Sequence, residues 1–331
     1  MSLSNNRPKS VSKMETAVTK LFKTEYPIVS GGMVWCSGWR LAAAVSSAGG
    51  LGLIGAGSMH PDTLAEHIAK TRAALAGTGK PFGVNVPLFY PEIETIIGLL
   101  IAEKVPVVFT SGGNPALYTA RLKEHGITVA HVVASARFAR KAETAGVDAI
   151  VAEGFEAGGH NGREEITTMA LIPQVRQATR LPLLAAGGIA TGRGMLAALA
   201  LGADGIQMGT RFALSEESSA HAAFKNLCTT IGEGDTMLCL KKLSPVRLVR
   251  NEFYRRVAEA ESNGASADEL REILGARRSK RGIFEGDLTE GELEIGQVAS
   301  LIRQVEPVEK IMRDIVAEFR TAVREVRQWE I

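Results

Sequence analysis

Residues 147–162 read VDAIVAEGFEAGGHNG, and the fold turns on them. A short apolar strand, Ala149 to Ala152, stops in a loop holding Gly154, Gly158, Gly159 and Gly162, with His160 between the last two. A strand this uniformly apolar is buried on both faces, as strands of a parallel sheet are. The loop combines glycines, which let a backbone approach a ligand closely, with an imidazole that exchanges a proton near neutral pH. The plain alternative is a mobile turn carrying an incidental histidine, so the flanking sequence has to decide.

Working outward, the same unit recurs. Apolar strands open at Pro27, Leu51, Phe82, Val105 and Ile127 before this one, and at Leu181 and Gly205 after it. Amphipathic helices lie between them, and the strand ends carry Gly, Asn, Ser or Thr. Eight such strand-then-helix units predict an α/β chain folded as a closed (β/α)8 TIM barrel, with an open doubly wound sheet as the alternative. Gly50, Gly52 and Gly55 spell GxGxxG, the dinucleotide fingerprint. That fingerprint needs a strand before it and a helix opening inside it. Here the order is reversed, so the match is set aside.

After Phe212 the rhythm breaks. Residues 215–290 read as a smaller, mostly helical insertion after strand eight, on the substrate side, and KKLSPVRLVRNEFYRRVAEA (241–260) reads as helical and basic. The basic cluster Arg277, Arg278, Lys280 and Arg281 is either an anion-attracting patch or a solvated surface. The barrel is thus expected to comprise residues 27–214 plus 291–331, the latter returning as a long amphipathic helix or pair. Residues 1–26 read as a polar tail.

Composition narrows the function class. Hydrophobic residues at 45% and charged residues at 22% are ordinary for a soluble globular protein. A net charge of +2 gives no reason to expect nucleic acid or an anionic membrane as partner. No run approaches the roughly 18 apolar residues of a membrane helix. Cys36, Cys228 and Cys239 have no metal-like spacing, and the N-terminal segment has no apolar signal region. A reducing cytoplasm is therefore the expected location, with no metal. A homodimer is allowed for, although no motif specifies one.

In such barrels the active site lies at the C-terminal ends of the strands. Those ends hold Gly32 and Met33, Asn85, His131, Glu153, Gly187 and Gly188, and Gln207, Gly209 and Thr210. The turns after strands seven and eight, with a short helix N-terminus, make the usual phosphate site of the fold. One phosphate and a cavity lined by small residues point to FMN, its phosphate on Gly187, Gly188, Gly209 and Thr210. Its ring would be approached by Gly32, Met33 and Asn85. A phosphorylated substrate without a cofactor would use the same turns, which keeps a non-redox isomerase open. His131 is read as facing the mouth, and Glu153 as a cofactor contact or a structural hydrogen-bond partner. Cys36 is read as pocket-lining or as a buried inert thiol, and His60, His67, His125 and His221 as structural.

Five stretches carry a family resemblance: GGMVWCSGWRLAAAVSSAGGLGLIG (31–55), FGVNVPL (82–88), AEGFEAGGHNG (152–162), LPLLAAGGIATG (181–192) and ADGIQMGTRFALSEES (203–218). Together they resemble the nitronate monooxygenase (2-nitropropane dioxygenase) family, and they are also similar to the flavin-dependent enoyl-acyl-carrier-protein reductase II. The resemblance implies an FMN-binding TIM barrel with an inserted smaller domain, with His160 as the catalytic residue. It implies FMN contacts from Gly32, Met33, Asn85, Gly187, Gly188, Gln207, Gly209 and Thr210, with Gly158 and Gly159 beside them. Nitronate oxidation with O2 is the first reading, His160 acting as base or as stabiliser of the anion. In the alternative, NAD(P)H is the reductant of an enoyl thioester, and His160 polarises the thioester carbonyl and helps protonate the product. The partner in either case is a small-molecule substrate.

Overall fold

The computed structural model describes residues 14–329. The strands are β1 (Ile28–Ser30), β2 (Gly52–Gly55), β3 (Phe82–Pro87), β4 (Val107–Ser111), β5 (Thr128–Val133) and β6 (Ala149–Glu153). They continue with β7 (Gly159–His160), which leaves the ring, and then β8 (Leu183–Ala186) and β9 (Gly205–Met208). The eight others pair in parallel in the order β1-β9-β8-β6-β5-β4-β3-β2. A parallel bridge between Val29 and Leu51 joins the ends, and the Ser30 N–H donates to the Leu51 carbonyl at 3.0 Å. The chain is a (β/α)8 barrel.

Burial on both faces explains the apolar strands. Val29, Leu53, Phe109, Val151 and Leu184 fill the interior of the ring, while Ile28, Ile54, Val108, Ile150 and Ile206 face the helices outside. The bottom of the ring is plugged by α1 (Ala17–Phe22), capped by Thr16, whose hydroxyl accepts from the Thr19 N–H. Val18 and Phe22 are buried among the interior residues, and the Phe22 ring lies 5.5 Å from that of Phe109. The polar-tail reading of residues 1–26 therefore fails over 17–22, because two core positions in so short a helix leave no visible period. The rest of that expectation, residues 1–13, lies outside the described residues.

Helices α2 (Trp39–Ser47), α3 (Pro61–Ala74), α4 (Ile93–Ala102), α5 (Thr119–Glu124), α6 (Ala136–Thr144), α7 (Thr168–Ala178) and α8 (Gly192–Ala200) follow the strands in turn. The GxGxxG glycines serve packing: any Cβ on Gly52 would run into the Ala42 backbone of α2. After β9 come α9 (Thr210–Ala213), α10 (Ala222–Cys228), β10 (Thr236–Cys239), β11 (Val246–Val249), α11 (Glu252–Ser262) and α12 (Ala267–Leu274). The stretch 241–260 is thus not one helix. Val246–Val249 is a strand with β10 on one side and β7 on the other, and helix begins only at Glu252. Three of the four residues of the basic cluster are engaged internally: Arg278 donates to the Glu290 carbonyl, Arg281 pairs with Asp287 at 2.6 Å, and Lys280 pairs with Glu285. A single long helix, α13 (Val308–Val326), returns to the barrel and buries Ile311, Met312, Ile315, Val316 and Phe319. That spacing is the apolar stripe of an amphipathic helix. Among the described residues no helix is long and apolar enough to cross a membrane.

Candidate active site

One cavity of about 1280 Å³ opens at the C-terminal ends of the strands. It brings together Gly32, Met33, Asn85, His131, Glu153, Gly158, Gly159, His160, Gly187, Gly188, Gln207, Gly209 and Thr210. Two walls face each other across it, and they are built differently.

The first wall is the pair of turns after β8 and β9. Gly187 sits at φ 90°, in the left-handed region, and a Cβ built there would lie 2.5 Å from the Gly154 carbonyl oxygen. Only glycine meets both demands. Gly188 follows at φ 70°, and successive turns of this kind aim backbone N–H groups into a concavity suited to an anion. Thr168, at the start of α7, holds the turn from behind: its hydroxyl reaches the Gly187 carbonyl at 2.8 Å, and its N–H donates to the Glu156 carboxylate. Thr210 is already engaged, its hydroxyl accepting from the Gly296 N–H at 3.0 Å. Gln207 Oε1 is buried with no hydrogen-bond partner. A buried amide oxygen left unpaired carries a desolvation cost of about 1–3 kcal/mol, so it marks a position where a donor belongs. Nearby, Asn85 donates to the Phe109 carbonyl, and Gly32 packs directly on the Asn85 side chain.

The second wall carries His160, whose ring is open to the cavity. It is held by the insertion. In the ladder between β11 and β7, Val246 pairs with His160 and Arg247 with Gly159. The Asn161 N–H donates to the Pro245 carbonyl at 2.8 Å. The chain returns along the same edge of β11, where Leu248 bridges to Glu294 and the Val249 N–H donates to Leu293. Gly158 lies against the backbone of Ile295 and Gly296, and Gly159, at φ 75°, lies against the Glu294 carboxyl. The glycine loop is therefore a packed joint, and the mobile-turn alternative does not hold. Arg247 is fully buried beneath it. It donates to the Phe155 carbonyl from Nε at 3.1 Å and Nη2 at 2.8 Å, and its guanidinium lies 5.1 Å over the Phe155 ring.

Burial shapes the titration of the site. Desolvation in the cavity wall lowers the His160 pKa, with Glu292 opposing. It pushes Glu153 up to about 7 and raises both Glu292 and Glu294. The Cys36 thiol, which also lines the cavity, is pushed up to about 12, which makes it a poor nucleophile. His131 lines the cavity, but from the outer face of its strand. It shares the strand face of Val129 and Val133, which is turned toward the helices, and its Nδ1 is bonded to the Thr110 hydroxyl at 2.7 Å. Burial drops its pKa to about 4. Of the other histidines, His67 accepts from the Trp39 N–H and His221 caps α10. Arg247 and Glu294 were not singled out from the sequence. Neither falls at a barrel strand end, and Arg247 sits in a stretch that reads as helix.

The nitronate monooxygenase family model matches residues 15–96 and 92–318. The chain belongs to the nitronate monooxygenase family. This family member is an oxidoreductase. It is 32% identical to the (3aS,4S,5R,7aS)-5-hydroxy-7a-methyl-1-oxo-octahydro-1H-indene-4-carboxyl-CoA dehydrogenase of Mycobacterium tuberculosis, over 94% of this chain and 98% of that protein. Among solved structures it resembles FabK from Thermotoga maritima, with 45% identity, a TM-score of 0.90, and coverage of 95% of this chain and 99% of that one. It also resembles the nitroalkane oxidase of Streptomyces ansochromogenes, at 30% identity and TM-score 0.80, over 94% and 100% of the two chains.

Proposed function

We propose that the chain is an FMN-dependent oxidoreductase that reduces the double bond of an enoyl thioester, with NAD(P)H as the electron source. The residues present fit the cofactor. Gly187, Gly188, Gly209 and Thr210 would hold its phosphate through backbone N–H groups. Gln207 Oε1, buried and unpartnered, would accept from a ring N–H, and Gly32, Met33 and Asn85 would lie against the ring. When bound, FMN supplies the hydride transfer that no side chain can. The chain's own part falls to His160. Its imidazole offers an N–H to the thioester carbonyl oxygen and steadies the negative charge that develops there.

The observation that carries the substrate class is the size of the cavity. Sites of about 300–1,000 Å³ enclose a drug-sized ligand. At about 1280 Å³ the cavity has room for the cofactor and an acyl thioester together. Similarity to a relative named for a carboxyl-CoA substrate supports the same reading. The test is direct. Purified protein is expected to be yellow, to release FMN on denaturation and to oxidise NAD(P)H when given an enoyl thioester. A colourless preparation that does not rebind FMN would sink the proposal.

Nitronate oxidation is the second reading. The family match and the nitroalkane oxidase similarity favour it, as does an imidazole able to take a proton from the carbon beside a nitro group. Oxygen uptake with an alkyl nitronate and no pyridine nucleotide would select it.

A further inference from the structure

The cavity extends over the side of the ring formed by β1, β2 and β3. There Val34, Trp35, Gly57 and Pro87 line it, as does Ile283 of the insertion. Gly57, Pro87 and Val34 pack against one another as a single apolar wall: a Cβ built on Gly57 would lie 2.9 Å from Pro87 Cγ and 3.1 Å from Val34 Cγ1. Two serine hydroxyls are engaged with Trp35. Ser58 Oγ accepts from the Trp35 N–H at 3.1 Å, and Ser279 Oγ accepts from the indole Nε1 at 3.2 Å.

Trp35 is the anomaly of this arm. Its φ of 61° lies in the left-handed region, where a bulky residue is a genuine outlier. Such strain persists where the surroundings over-determine it, and it clusters at functional sites. Here the surroundings belong to the insertion: Ser279 holds the indole N–H, the Phe284 ring lies 5.8 Å from the indole, and Lys280 Nζ lies 5.9 Å over it. Residues Lys280–Phe284 form a π-helix, a turn that recurs at functional sites. The chemistry assigned to His160 has no use for Trp35.

We propose that this arm receives the aliphatic tail of the substrate and that Trp35, latched to Ser279, sets the length of tail accepted. The walls named here are mostly apolar, and each methylene buried against them gains roughly fourfold in affinity. The proposal rests on the oxidoreductase reading only for the existence of a tail, which an acyl thioester and an alkyl nitronate both carry.

The test compares wild type, Trp35→Gly and Trp35→Phe as FMN-loaded proteins. Glycine adopts the left-handed conformation without strain, so Trp35→Gly removes the indole and keeps the backbone. For pantetheine thioesters from crotonyl to dodecenoyl, Trp35→Gly is expected to raise the long-to-short ratio of kcat/KM by about tenfold or more, from two further methylenes at roughly fourfold each. Trp35→Phe keeps most of the bulk and should move the ratio by less than about threefold. Alkyl nitronates of increasing length are run in parallel. Binding of dansyl-labelled undecanoic acid, read by fluorescence, reports on the arm without turnover and should tighten by about tenfold in Trp35→Gly. A probe shift with neither substrate turned over would keep the arm and sink the function. Turnover with ratio and probe unmoved in both variants would overturn the arm and leave the function standing.

Discussion

The turns after β8 and β9 and the loop that carries His160 face the same cavity, but they depend on different amounts of chain. The first wall is local. Gly187, Gly188, Gly209 and Thr210 lie within a few residues of the strands that place them, and backbone geometry gives them their shape. The second wall is assembled from a distance: His160 takes its position from Val246 of β11 and from the returning segment at Leu293–Ile295. A local wall tolerates change elsewhere but not in its own glycines. An assembled wall can be loosened by residues that never touch a ligand.

The largest expected effect separates chemistry from binding. His160→Ala should lower kcat by about 10²–10³, the usual cost of removing one donor to a developing oxyanion, while the FMN content stays at the wild-type level. Equal loss of flavin and rate would mean that the two walls are not separable. Next comes the local wall. Gly187→Ala places a Cβ against the Gly154 carbonyl oxygen at φ 90°. A penalty of about 1–3 kcal/mol corresponds to roughly 5–150-fold weaker FMN binding, measured by flavin fluorescence on titration of the apoprotein. Wild-type affinity in that variant would remove the turn from the phosphate site.

Arg247→Met tests the assembled wall. It leaves the Phe155 carbonyl without its two donors and should cost about 1–3 kcal/mol in urea unfolding. Because Phe155 opens the loop that ends in His160, kcat should fall while FMN affinity changes little. A variant with less stability but full kcat would make Arg247 a packing residue only.

How much could be read beforehand follows the same divide. The barrel was legible because each parallel strand is an apolar run ended by a turn, and that signal lies within single units, as at Leu183–Ala186 with Gly187 and Gly188. The thirteen strand-end and loop residues reached one cavity for the same reason. His131 lines that cavity from the strand face turned toward the helices, a period-two distinction that apolar neighbours on both sides could not reveal. Val246–Val249 carried basic flanks that suggested helix, and its strand character comes from partners at 159–160 and 236–239. Helix α1 was lost because its burial depends on Phe109 inside the ring. Pairing between distant segments leaves little periodic trace in either one.

The smallest effect concerns the join between the two walls. Glu153 ends β6 on the same face as Ala149 and Val151, which point into the ring, and burial pushes its pKa from 4.5 up to about 7. Between those values the folded chain holds a proton that the unfolded chain has released. Stability from this group is therefore complete below about pH 4.5 and is lost as pH rises through about 7, because the folded state must then either ionise a buried carboxyl or unfold. In the apoprotein, denaturant unfolding at pH 5 and pH 8 should show a loss of about 2–3 kcal/mol in wild type that is absent in Glu153→Gln. If both proteins lose stability equally, Glu153 faces water rather than the mouth of an apolar ring. The loops of the two walls would then not close over it, and the distinction between a local and an assembled wall would lose its common floor.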